Sequence, residues 1–141
     1  NAGEYEEAYA LFSSIRDDFP ASAVAEQAVA VLPELREAIA FSEYSEAMAL
    51  FNQAVDEEDK VKMREALAPL EQVWQRYPDT PGGIAAKVNV GVCHQRLQEW
   101  REAVAAFEEV IAEGEGGNEQ VTPNVLEFAQ RRRDSIVRKR L

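Results

Sequence analysis

The sequence is short of the residues that carry most catalytic and metal chemistry. Its 141 residues hold one cysteine, Cys93, and one histidine, His94. A lone cysteine excludes an intrachain disulfide and a thiolate-rich metal centre, and a lone histidine excludes a multi-histidine one. No apolar run approaches the roughly 18 residues a membrane span needs. Basic side chains are scarce as well, 15 against 26 acidic ones, for a net charge of −11. The imbalance is local: residues 1–60 carry fourteen acids and three bases, residues 61–121 ten and six, residues 122–141 two and six. An acidic body repels phosphate backbones, which disfavours nucleic acid on the main surface. Residue 1 falls inside a predicted helix with no signal-peptide pattern, so a longer parent chain is expected.

What is present is alanine in abundance and little period-two alternation, a composition that favours helices over strands. Tyr5, Ala8, Phe12, Ile15 and Phe19 recur at spacings of three and four, one stripe of an amphipathic helix that Pro20 ends, with Ser22 placed to cap the next. The same spacing returns at Met63, Ala66, Leu70, Val73 and Tyr77, followed by Pro78, and again at Trp100, Ala103, Phe107 and Val110 with Gly114 in the last place. A small residue flanked by bulky ones lets two helices approach while the large side chains fill grooves.

These residues resemble the tetratricopeptide repeat family, whose unit is a pair of antiparallel helices, A and B. Residues 84–117 match best, through Val90 and Gly91, Trp100, Ala103, Phe107 and Val110, with His94 and Glu115 where the family usually has Tyr and Pro. Residues 47–80 match in helix B alone. The resemblance implies an all-α, helical-hairpin solenoid of about six helices. It is divided as a lone helix B at 4–20, a long helix A at 22–57, helix B at 60–77, a full hairpin at 83–98 and 101–113, and a capping helix at 122–140. Segment 22–57 has Pro33 as its one proline and is either one kinked helix or two helices broken there; residues 43–51 repeat much of 4–12 and could mark another helix B. Thr122 and Pro123 read as N-cap and first residue of the last helix.

The chemical candidates are few. Cys93 and His94 are neighbours, about 100° apart on a helix. An EF-hand loop begun at Asp56 would need oxygen ligands where Lys60 and Leu67 stand and glycine where Val61 stands, so Asp56–Asp59 reads as a helix junction with Asp59 as cap. The glycines at 114, 116 and 117 lie among acids that would repel phosphate, and read as a flexible connector.

The resemblance points instead to a non-enzymatic protein-binding scaffold without cofactor or metal. Its concave surface would receive a peptide or partner helix on Ala85, Val88, Asn89, Val92, Gln95 and Arg96. Of the family's carboxylate-gripping set only Asn89 matches, with Lys87 one position off. The alternative is an anionic surface or nucleic acid bound by Arg131, Arg132, Arg133, Arg138, Lys139 and Arg140; the competing expectation is that these arginines pair with the acidic body. The aromatic-Pro runs at Phe19 and Tyr77 resemble repeats of bacterial cell-envelope proteins, which implies periplasm or envelope. The stripe at Tyr5, Phe12 and Phe19 lacks a preceding helix A, so a dimer mate is expected as one possible cover.

Overall fold

The structure is a computed structural model that describes residues 2–141. Six helices follow one another: α1 Ala2–Asp18, α2 Ala23–Asp56, α3 Lys60–Arg76, α4 Pro81–Arg96, α5 Trp100–Glu115 and α6 Pro123–Arg140. There is no strand among the described residues. Each helix packs on the next in chain order and α2 also touches α4, the architecture of an all-α helical-hairpin repeat. Between Ser22 and Glu57 the chain forms one helix, not two; Pro33 lies inside it and faces solvent, where its missing N–H is cheapest.

The connections alternate between two kinds of turn, and this gives the repeat its two-helix period. Into α2 and α4 the chain passes through an aromatic, a proline and then a hydroxyl residue. Ser22 Oγ accepts from the Ala25 N–H at 3.0 Å and donates to the Phe19 carbonyl at 2.8 Å. Thr80 Oγ1 does the same between the Gly83 N–H, 3.0 Å, and the Tyr77 carbonyl, 2.7 Å. Each hydroxyl therefore satisfies a free donor of the new helix and closes the turn behind it.

Into α3 and α5 the chain passes instead through a left-handed residue, Glu58 (φ 51°) or Gln98 (φ 62°). Behind these, Asp59 N–H donates to the Ala54 carbonyl at 2.9 Å and Glu99 N–H to the His94 carbonyl at 2.8 Å, the six-to-one closure of a Schellman motif. The last connection uses both devices, Gly117 at φ 94° and then Thr122 capping α6. The glycine run expected as a flexible connector is thus an ordered helix end. Gly114 belongs to α5, Asn118 N–H donates to the Glu113 carbonyl at 2.9 Å, and Asn118 Nδ2 donates to the Pro78 carbonyl at 3.0 Å.

Two apolar clusters form the core. One joins Ala47, Phe51 and Ala54 of α2 to Met63, Ala66, Leu70 and Val73 of α3 and Val90 and Cys93 of α4. The other joins Ile84 of α4 to Ala103, Phe107, Val110 and Ile111 of α5 and Ala129 and Ile136 of α6. Gly91 lets α4 and α5 meet, since a Cβ there would stand 2.7 Å from the Phe107 ring. Residues before Tyr44 belong to neither cluster. The front of α2 buries Ala25, Ala28 and Leu32 while Ala8, Phe12 and Ile15 of α1 are half-buried.

The two parts meet at the middle of α2. Arg36 reaches Asp79 Oδ1 at 2.8 Å and the Arg76 carbonyl at 2.8 Å, and its guanidinium lies 5.0 Å over the Tyr77 ring. Glu6 and Tyr9 of α1 line a small cleft with Arg36 and Tyr77.

Candidate functional site

Helix α4 is the most enclosed helix, and its two sides differ in chemistry. Toward α3 and α5 it buries Ile84, Ala86, Val90, Gly91 and Cys93, together with Lys87. The Lys87 side chain is only 7% exposed. Its ammonium meets Glu71 of α3 at 2.9 Å and Glu109 of α5 at 2.8 Å, 5.9 Å above the Trp74 ring. A buried cation needs such compensation. Lys87 therefore ties three helices together on the side away from the proposed binding row.

On the other side stands the row expected to bind. Ala85, Val88, Asn89, Val92 and Gln95 are half-buried and Arg96 is exposed. Asn89 Nδ2 donates to Tyr44 Oη of α2 at 3.1 Å and to the Ala85 carbonyl at 2.9 Å. Burial raises the Tyr44 phenol above its ordinary range while the Asn89 bond opposes this. Gln95 Oε1 accepts from Arg132 of α6 at 3.1 Å. The Arg96 guanidinium lies 5.9 Å from the Phe51 ring centre. Val92 packs against both core clusters, so it is a packing residue first. The row thus links α2, α4 and α6 across one face. Tyr44 is the member that sequence reasoning missed, because its partner lies 45 residues away.

At the α6 end this face opens into a cleft of about 490 Å³ lined by Gln95, Asn124, Glu127, Phe128, Arg131, Arg132 and Ser135. The two residue sets that the sequence offers as alternatives therefore meet in one cleft, through Gln95 of the α4 row and Arg131 and Arg132 of the basic helix. Arg132 lies 4.8 Å over the Phe128 ring and Arg131 pairs with Glu127. Outside the cleft, Arg133 Nε meets Asp134 Oδ1 at 2.9 Å, Arg138 Nε donates to the Asp134 carbonyl at 3.3 Å, and Arg140 lies 4.9 Å over Trp100. Lys139 is exposed. These contacts run along α6 and to neighbouring rings rather than to the acidic N-terminal half, which departs from the expected pairing. The cause is geometric: α6 packs on α5, at the opposite end of the helix order from α1.

The remaining candidates have structural roles. The Cys93 thiol is buried, and burial pushes its pKa up to about 12, far from a reactive thiolate. His94 Nδ1 stands 3.4 Å from Glu99 Oε1. Asp59 Oδ1 caps α3, accepting from the Val61 N–H at 2.9 Å and the Lys62 N–H at 3.1 Å, while Glu57 pairs with Lys62.

Compared with known protein families, residues 85–113 match the tetratricopeptide repeat model, a span from Ala85 in α4 through most of α5. Neither a curated protein nor a solved structure gives a match. A repeat of this kind suggests a protein–protein interaction scaffold and is typically a non-catalytic module.

Proposed function

We propose that the chain is a non-enzymatic scaffold that receives a peptide or partner helix along the face shared by α2, α4 and α6. In this scheme Asn89 and Gln95 offer hydrogen bonds, and Phe128 with Arg132 forms an anchor for an apolar side chain beside an acidic one. The observation that carries this is the Gln95–Arg132 bond at the edge of the 490 Å³ cleft, which brings the α4 row and the basic helix into one surface. Binding of nucleic acid or an anionic surface through all six basic residues has less support, because Arg131 and Arg133 pair with Glu127 and Asp134 of α6 itself and Arg140 lies over Trp100, so the six do not present one free basic patch. The aromatic-Pro runs that suggested a cell-envelope setting have a sufficient cause in turn closure, so compartment has no part in the proposal.

A library of immobilised peptides, acidic and basic, probed with the purified chain, tests it. Acidic binders are expected, weakened about tenfold or more by Arg132→Glu and by Gln95→Ala. Binders indifferent to both changes, or none at all, would move the binding face elsewhere. Val92→Glu is unsuitable as a probe, because Val92 helps hold both clusters.

A further inference from the structure

Exposed large apolar side chains are unevenly spread. Tyr5, Leu11, Phe19, Val24, Val29, Phe41 and Leu50 lie on α1, α2 and the turn between them, Val61 stands alone at the start of α3, and α6 supplies Phe128, Val137 and, just past its end, Leu141. On α1 the exposed row Glu4, Glu7, Leu11, Ser14 and Asp18 follows the three-and-four helical spacing, so Leu11, 61% exposed, stands in an acidic setting. On α2, Glu26 and Glu37 are exposed on either side of Val29 and Pro33. The end of α6 is the complement: Val137 and Leu141 beside exposed Arg138 and Lys139.

From this complementarity we infer that two copies of the chain associate head to tail, the acidic apolar α1–α2 hairpin of one receiving the basic apolar end of α6 of the other. A symmetric contact between two hairpins would bring together two surfaces from the segment that carries fourteen acids and three bases, and Coulomb repulsion opposes it. A contact between two α6 ends is opposed in the same way by the six bases of residues 122–141. The unlike pairing satisfies charge and covers apolar surface at both ends at once. Because the two surfaces lie at opposite ends of one chain, the contact is heterologous and can propagate from copy to copy. The cleft between α4 and α6 takes no part.

Sedimentation of the chain at rising concentration tests this, with two surface variants. Leu11→Lys with Phe19→Lys spoils the hairpin; Val137→Asp with Arg138→Glu spoils α6. All four positions are exposed, and unchanged helical circular dichroism checks that each variant folds. The parent chain is expected to gain mass with concentration, and association should weaken about tenfold or more between low and high salt. Each variant alone should stay monomeric, and their mixture should form a one-to-one pair that grows no further, since one good hairpin and one good α6 remain. A parent chain that stays monomeric into the millimolar range overturns the inference. So does an α6 variant that associates on its own, which would signal contact between hairpins, or a mixture that fails to pair.

Discussion

Two stretches of this molecule carry the same stripe and enter the following helix through the same turn, yet meet different fates. Met63, Ala66, Leu70 and Val73 of α3 are buried, while Tyr5 of α1 is exposed and Ala8, Phe12 and Ile15 reach only half burial. The pattern extends to the turns. Thr80 is 1% exposed and Tyr77 is clamped by Arg36, whereas Phe19 stands 63% exposed beside a half-buried Ser22. The reason is the number of neighbours. α3 lies between α2 and α4, while α1 packs on α2. An amphipathic stripe thus says which side of a helix can be buried, and the layers around it decide how far burial goes.

The contrast is open to measurement, and the largest expected effect is in the core. Phe107→Ala removes a ring at the centre of the second cluster and should cost roughly 3–5 kcal/mol in urea denaturation. Phe12→Ala, in the hairpin, should cost about 1–2 kcal/mol. Similar losses would break the comparison. Lys87→Met should cost roughly 1–3 kcal/mol by leaving Glu71 and Glu109 facing each other, with part regained on adding Glu71→Gln and Glu109→Gln. The matched caps sharpen the comparison further. Thr80→Ala is expected to cost about 1–2 kcal/mol and Ser22→Ala about 0.5–1 kcal/mol, because the buried cap cannot be replaced by water.

One change should carry the opposite sign. Ser13 Oγ on α1 is buried with no hydrogen-bond partner among the described residues, so Ser13→Ala is expected to raise the denaturation midpoint by up to about 1 kcal/mol of stability. The smallest effect is acid sensitivity at the joint between the two parts. The hydrogen bond from Arg36 lowers the Asp79 pKa. Its stabilisation is therefore full above the unfolded carboxylate value near ~3.9 and fades as pH falls through the depressed folded value. For a pair with Asp79 largely exposed this amounts to less than ~1 kcal/mol, and Arg36→Met should remove that acid dependence.

Much of this was legible in the residues themselves. Local hydrogen-bond chemistry marks Ser22, Asp59 and Thr122 as caps, and the small-and-large spacing marks the packing sides of α3 and α5. The left-handed closures were less visible, since Glu58 and Gln98 are not the glycines that such positions favour. The candidate binding row was legible as a row, because three-and-four spacing on one helix is a local property. Its neighbours were not: Tyr44 and Arg132 reach it across 45 and 37 residues of sequence.

Lys87 shows the same limit most sharply. One position from Val88 of the candidate row in sequence, it turns about 100° around the helix to meet Glu71 of α3 and Glu109 of α5.

The sequence alone determined the helices, their caps, the apolar sides of most of them and the uneven charge, because each depends on residues within a turn or two of one another. Only the tertiary structure decided that α2 packs against α1, α3 and α4 along its length, that Lys87 is a buried tie, and that Gln95 of the α4 row lines a cleft with Arg131 and Arg132 of the basic helix. Those outcomes depend on which distant surfaces come together, and burial, desolvation and ion pairing take their magnitudes from that meeting.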